Sequence, residues 1–268
     1  MPTSDTTAKG NIFSHILAIA RNTFRETVRD RVLYNLVLFV LLIVAAAIFL
    51  GELTDGHEAR VIVNLGLSAV LIFGAFISIF VGVSLVWKEI EKRTLYSIFS
   101  KPIGRGEFIV GKYAGLCLTL LVNTAIMGLG VTLALFYVHG GDLVGPVWAT
   151  ISLIFLELSI LTAVAIMFSS FSTPALSALL TFFVFVIGHF SASLHDLAQY
   201  LGSTPAQIVF DAIYYLLPNL SHFSFITESS NGMTPPPSMI GEAALYAIAY
   251  DIILLTATVV IFNRRNFK

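Results

Sequence analysis

Residues 87–112 read WKEIEKRTLYSIFSKPIGRGEFIVGK, from Trp87 to Lys112. This long polar interval lies between two very apolar segments and carries six basic residues: Lys88, Lys92, Arg93, Lys101, Arg105 and Lys112. On a helical wheel Trp87, Ile90, Thr94 and Ile98 share one face. Lys88, Glu89, Lys92 and Arg93 lie mostly opposite, with Glu91 near the boundary. Pro102 and Gly104 end the predicted helix, and Ile103 to Phe108 lead back to an apolar run. The plainer alternative is a solvated loop. An amphipathic helix with an aromatic anchor at each end favours a surface element that docks a partner and levers the flanking segments.

Working outward, the flanks decide the fold class. The chain has 268 residues, 57% hydrophobic and 12% charged, whereas a soluble domain carries about 25% charged residues. Six apolar segments stand out: Val32 to Leu50, Val61 to Trp87, Tyr113 to Val138, Val147 to Phe171, Ala175 to Leu194 and Ala243 to Phe262. Each is near or above the ~20 residues that cross a ~30 Å hydrocarbon layer as a helix. Val144-Gly145-Pro146 and Pro174 separate neighbours, because the residue before a proline leaves helical geometry. The expectation is an all-α polytopic membrane protein with six transmembrane helices in one domain, residues 32–262. A tail and interfacial helix (1–31) precede it and a short polar end (263–268) follows. The first apolar run begins only near Val32, after a polar, arginine-bearing lead, so a retained span is expected rather than a cleavable signal.

Charge predicts orientation. An even number of spans puts both termini and the 87–112 interval on one side. That side collects Lys9, Arg21, Arg25, Arg29, Arg31, the six basic residues above, Arg264, Arg265 and Lys268, and leaves only Arg60 opposite. Positive residues stay cytoplasmic, so the N-terminus, C-terminus and interval are expected inside. In Ile12 to Arg31, Ile12, Ile16, Ile19 and Thr23 recur at helical spacing, and Arg21, Arg25 and Arg29 share another face. That pattern suits a helix in the membrane interface, apolar side down and arginines toward lipid phosphates. The third outer loop, His195 to Glu242, contains an apolar piece too short to span, Ala206 to Leu217, which suits a re-entrant or interfacial helix.

Several chemistries can be set aside. A net charge of −1 gives a nucleic-acid partner no support. The single cysteine, Cys117, lies in an apolar run and reads as a packing residue. Gly106 to Lys112 has P-loop spacing, but Tyr113 follows where a hydroxyl for Mg²⁺ is needed. With no P-loop, energy must come from another chain. His189 and His195 are six apart and face different sides of a helix, a poor metal pair. No catalytic, cofactor or metal residues are expected, and Asn219-Leu220-Ser221 reads as a chance glycosylation triplet. Two carboxylates lie within spans, Glu157 and Asp251. They belong either to a translocation path or proton relay, or to hydrogen-bonded packing with neighbours such as Ser152, Thr162, Tyr250 or Thr256. Small residues mark a close-packing seam: Gly66, Ser68, Gly74, Ser78 and Gly82 in the second span, and Gly111, Gly115, Gly128 and Gly130 in the third.

Glu89, Glu91, Thr94, Leu95, Pro102, Arg105, Gly111 and Lys112 together resemble a pattern of the ABC-2 type ABC transporter permeases, E-x-E-x-G-T-L-E, a proline, a small/basic turn and G-K. Arg93 stands where that family often has glycine, and Tyr96 where it often has glutamate. In outline the resemblance also covers the arginine-bearing N-terminal helix, the six spans, Leu217-Pro218-Asn219 and the Arg264-Arg265 end. It implies a bacterial inner-membrane export permease: two such subunits, homodimer or heterodimer, above two separate ABC ATPase subunits. ATP and Mg are bound by those partners and none directly by this chain. It implies that Trp87, Glu89, Glu91, Arg93, Thr94, Leu95, Pro102 and Arg105 couple to the ATPase. The competing readings are an ion-coupled secondary transporter or channel using Glu157 and Asp251, and a scaffold that binds partners without transport. The substrate is not legible.

Overall fold

A computed structural model describes residues 12–28, 57–91, 104–201 and 217–264, with 38, 39, 42, 43, 45, 46 and 49; the side chains of 90, 91 and 192–201 are outside the description. Among the described residues there is no strand. The helices are α1 (Ile12–Thr27), α2 (Glu58–Glu91), α3 (Arg105–Tyr137), α4 (Val144–Ser169), α5 (Pro174–Leu201), the short α6 (Ile226–Ser230) and α7 (Pro237–Arg264). Five of them, α2, α3, α4, α5 and α7, are long and apolar enough to cross a membrane. The expected first span, 32–50, lies mostly outside the described residues. The positions described within it are helical, with Phe39 and Ile43 buried and Phe39 edge-on to Phe73 at 6.0 Å.

Helix ends follow local chemistry. Proline opens α5 and α7, where its missing N–H has no helical partner to lose. Gly104 is extended (φ −71°, ψ 146°) and caps α3. At the other end of α3, His139 takes a left-handed conformation (φ 59°), with Gly140 N–H donating to Leu135 O at 2.9 Å and His139 N–H to Phe136 O at 3.3 Å. This is the paired-bond helix stop in which a residue with positive φ turns the chain out. Beginning at Arg105 rather than Tyr113, α3 takes in eight residues expected as loop. Glu107 in its first turn suits the positive helix end, and no proline falls between Arg105 and Lys112, while Gly106 and Gly111 are tolerated within the helix. With 34 and 33 residues, α2 and α3 are each about 50 Å long.

At the centre is α4, which packs against α2, α3, α5 and α7. It is apolar around its whole circumference, as a helix enclosed by others must be. The main core joins α2, α3 and α4 through residues such as Leu67, Val70, Leu120, Val131 and Leu158. The small residues form the seam within this one chain: a Cβ on Gly82 would come within 2.9 Å of Ala165 Cβ, and one on Gly74 would strike Leu158. A second cluster (Leu153, Val184, Leu220, Phe223, Ala243, Ala247) closes the end far from α1, and a third (Val86, Phe108, Ile109, Ile166, Phe262) closes the α1 end. In contrast, α5 and α7 leave much apolar surface open, including Phe183, Phe190, Leu245, Ile252 and Ile253.

Candidate functional site

The α1 end of the bundle is tied together by polar contacts between helices far apart in sequence. Lys112, on α3, is only 3% exposed, with Nζ 3.1 Å from Glu89 Oε1 on α2 and 3.7 Å from Glu26 Oε2 on α1. Its ammonium also lies 5.8 Å from the Phe108 ring centroid. A buried ammonium needs such partners, because an unpaired charge out of water costs several kcal/mol, on the order of 3–5 when a buried pair is broken. One turn earlier on α3, Glu107 Oε2 is 2.9 Å from His15 Nδ1 on α1. Arg105 donates through one guanidinium nitrogen to the carbonyls of Phe262 (3.0 Å) and Asn263 (3.2 Å) in the last described turn of α7. The ring of Phe108 stacks on Phe262 at 6.3 Å beneath that contact.

Close packing reinforces the polar ties. A Cβ on Gly111 would sit 2.7 Å from Ile19 Cβ, and one on Gly115 would sit 2.6 Å from both Ala20 O and Thr23 Cβ. Two successive turns of α1 therefore lie directly on two successive turns of α3, with Ala20, Thr23 and Thr27 buried between them. Here the structure differs from the sequence expectation. Ile16, Ile19 and Thr23, read as the lipid-facing side, are seated at the α3 contact, and the exposed large apolar residues of α1 are Ile12, Phe13 and Leu17. Periodicity marks an apolar face but does not say whether lipid or protein covers it. Arg21 and Arg25 are exposed; Arg29 lies outside the described residues.

Of the other expected coupling residues, Trp87 and Glu89 sit in the last turns of α2, which continues unbroken to Glu91. Glu91 is the last residue of α2 that the structure describes. Arg93, Thr94, Leu95 and Pro102 lie outside the described residues, which resume at Gly104. Arg105 belongs to the first turn of α3. The P-loop-like spacing from Gly106 to Lys112 is helical throughout, and Lys112 is engaged by Glu89, so that segment offers no phosphate cradle.

The two intramembrane carboxylates occupy separate settings. On α7, Asp251 Oδ2 accepts from Tyr113 OH at 2.7 Å (α3) and from Ser159 Oγ at 3.0 Å (α4). Of the partners suggested by sequence, Ser152 and Thr162 donate to carbonyls of their own helix instead, and the Tyr250 ring lies 4.7 Å from that of Tyr246. Hydroxyls near in sequence turn back to their own helix, while cross-helix partners are set by packing. Glu157, on α4, faces α5, where His189 Nδ1 stands 3.2 Å from its Oε1. The pair is within ionic reach but poorly aligned, leaving both atoms without a hydrogen bond. Two residues apart on one helix, Glu157 and Ser159 point in nearly opposite directions. So α4 separates the two groups instead of joining them in one relay. Sequence reading missed His15, Glu26 and Tyr113 as partners, and paired His189 only with His195. Nothing in periodicity signals these contacts; the one available cue was that a charged group inside an apolar run must find a counterpart.

At the far end, residues 217–232 fold inward. Asn219 N–H donates to Tyr246 OH at 2.8 Å, and Asn219 Oδ1 accepts from Ser221 N–H at 3.1 Å and Ser221 Oγ at 2.5 Å. Asn219 is buried, in keeping with a chance triplet. The apolar piece at 206–216 lies outside the described residues. Among the described residues no group of three or more His, Cys, Asp or Glu could hold a metal ion.

A family model described as "ABC-2 family transporter protein" matches residues 17–267. A search of curated proteins finds no match.

Proposed function

We propose, from the premise that this chain belongs to the ABC-2 family of transporter proteins, that it is the membrane permease of a complex powered by a separate ABC ATPase. Two copies, or one copy and a related subunit, would stand above two ATPase subunits in a bacterial inner membrane. The partners would hold ATP and Mg, and this chain would bind neither. Closure of the ATPases would press on the Trp87 to Pro102 interval and open a path for export. In this reading the chain catalyses no reaction of its own.

One observation carries the coupling part of the proposal. The two helices that flank the coupling interval, α2 at Glu89 and α3 at Arg105 and Lys112, belong to a single tied junction that also includes α1 and the end of α7. A load applied between those two helices enters four helices together. A floppy junction would dissipate it.

The test is assembly and accessibility. Co-expressed with its ABC ATPase, the chain is expected to purify as a stoichiometric complex, and Glu91→Lys with Arg93→Glu is expected to weaken that complex at least about tenfold, the loss of one or two charge-assisted contacts. Wild-type affinity in that variant, ATP hydrolysis by the chain alone, or labelling of residues 92–103 from outside the cell would each overturn the reading.

A further inference from the structure

The expected coupling residue Glu89 turns its carboxylate toward Lys112, 3.1 Å away, and its side chain is only 21% exposed. Lys112 in turn reaches Glu26 on α1. We propose that Lys112 is a positioning residue that holds the Trp87–Glu91 stretch of α2 against α1 and α3, and that Glu89 serves this anchor rather than a direct contact with the ATPase.

Three observations support the assignment. The ammonium is buried and its two carboxylate partners come from two other helices, α1 and α2. Next to it, Gly111 lets α1 approach so closely that a single added carbon would strike Ile19. The residue it meets on α2, Glu89, lies at the polar end of the described helix, beside Lys88 and Glu91. A cation in that place fixes this part of α2 against α1 and α3. An ammonium held by two carboxylates also resists the separation of either helix from the third, because each departure leaves charge less well paired in a poorly hydrated site. The consequence is that α1, the end of α2 and the start of α3 shift as one body.

This inference refines the permease reading above, but its test requires no ATPase, so the two can fail separately. Full-length chain in lipid nanodiscs is followed by hydrogen–deuterium exchange over α1 and the last two turns of α2. Lys112→Met and Glu89→Gln are each expected to speed exchange at the end of α2 by about tenfold, as local opening becomes easier. The double variant is expected to go no further than the faster single one, because the two changes remove the same contact. Lys112→Arg should stay within about twofold of the parent. Glu26→Gln, a change on α1 alone, should raise exchange at the end of α2 by about threefold and have no such effect once Lys112 is Met. Unchanged exchange at the end of α2, fully additive effects, or an undiminished Glu26→Gln response without Lys112 would overturn the proposal. Should Lys112→Met fail to fold, Glu89→Gln and Glu26→Gln report on the same contact.

Discussion

At the scale of single residues, the contacts that organise this chain are short, buried and cross-helical. Gly115 is a clear steric case, since an added Cβ meets a backbone carbonyl that cannot rotate away. Gly115→Ala is expected to destabilise the protein by about 1–3 kcal/mol through overpacking, read as a lower Tm in nanodiscs. Gly241 is the control: a Cβ added there would have nothing within 4 Å, so Gly241→Ala should raise Tm slightly by restricting the unfolded chain. Tyr113→Phe removes the hydroxyl that donates to Asp251. It should cost about 1–3 kcal/mol, while Tyr113→Phe added to Asp251→Asn should cost clearly less than the two single changes together. Sequence reading found Asp251 and Glu157 as ionisable groups in apolar runs. It could not find Tyr113 or His189 as their partners, because helical periodicity gives the face of each helix and not the rotation of one helix against another.

Elements were legible where composition is extreme and less so where it is mixed. The five helices long and apolar enough to cross a membrane overlap apolar runs read from the sequence. The start of α3 did not, because Arg105, Glu107 and Lys112 look like loop until their partners on α7 and α1 are known. Arg105→Gln should therefore fray the last turn of α7. Exchange in residues 259–263 is expected to rise several-fold, corresponding to about 0.5–2 kcal/mol for lost C-terminal capping and charge. Arg105→Lys should recover only part of this, since a point charge cannot span both carbonyls as the guanidinium does. At the opposite end, Gly188 admits the 217–220 turn so closely that a Cβ would lie 2.7 Å from Pro218 O and 2.8 Å from Leu220 Cγ. Gly188→Val should expel that turn, and protease cleavage within residues 217–236 should appear in intact vesicles from the side opposite α1.

For the whole molecule, membrane class and family were readable from apolar runs and from the Glu89-to-Lys112 pattern. The direction α1 faces was not, because one apolar stripe serves lipid and protein equally well. Topology has a direct check. A cysteine placed at exposed Asp142 should react with an impermeant maleimide in intact cells, whereas cysteines at exposed Arg21 and Thr173 should react only after permeabilisation; the native thiol, Cys117, lies within α3. The reverse pattern would invert the arrangement read from the basic residues.

The lengths of α2 and α3 reach beyond the protein itself. Two rods of about 50 Å cannot hide in a slab about 30 Å thick, and both run through the junction around Lys112. Their protruding turns sit at whatever depth the surrounding acyl chains allow. Longer acyl chains would draw those turns into oil, shorter ones would push them into water, and each ångström of mismatch costs a fraction of a kcal/mol. The hydrophobic thickness of the host membrane thus becomes a load on the same ion-paired turns that hold α1, α2 and α3 together.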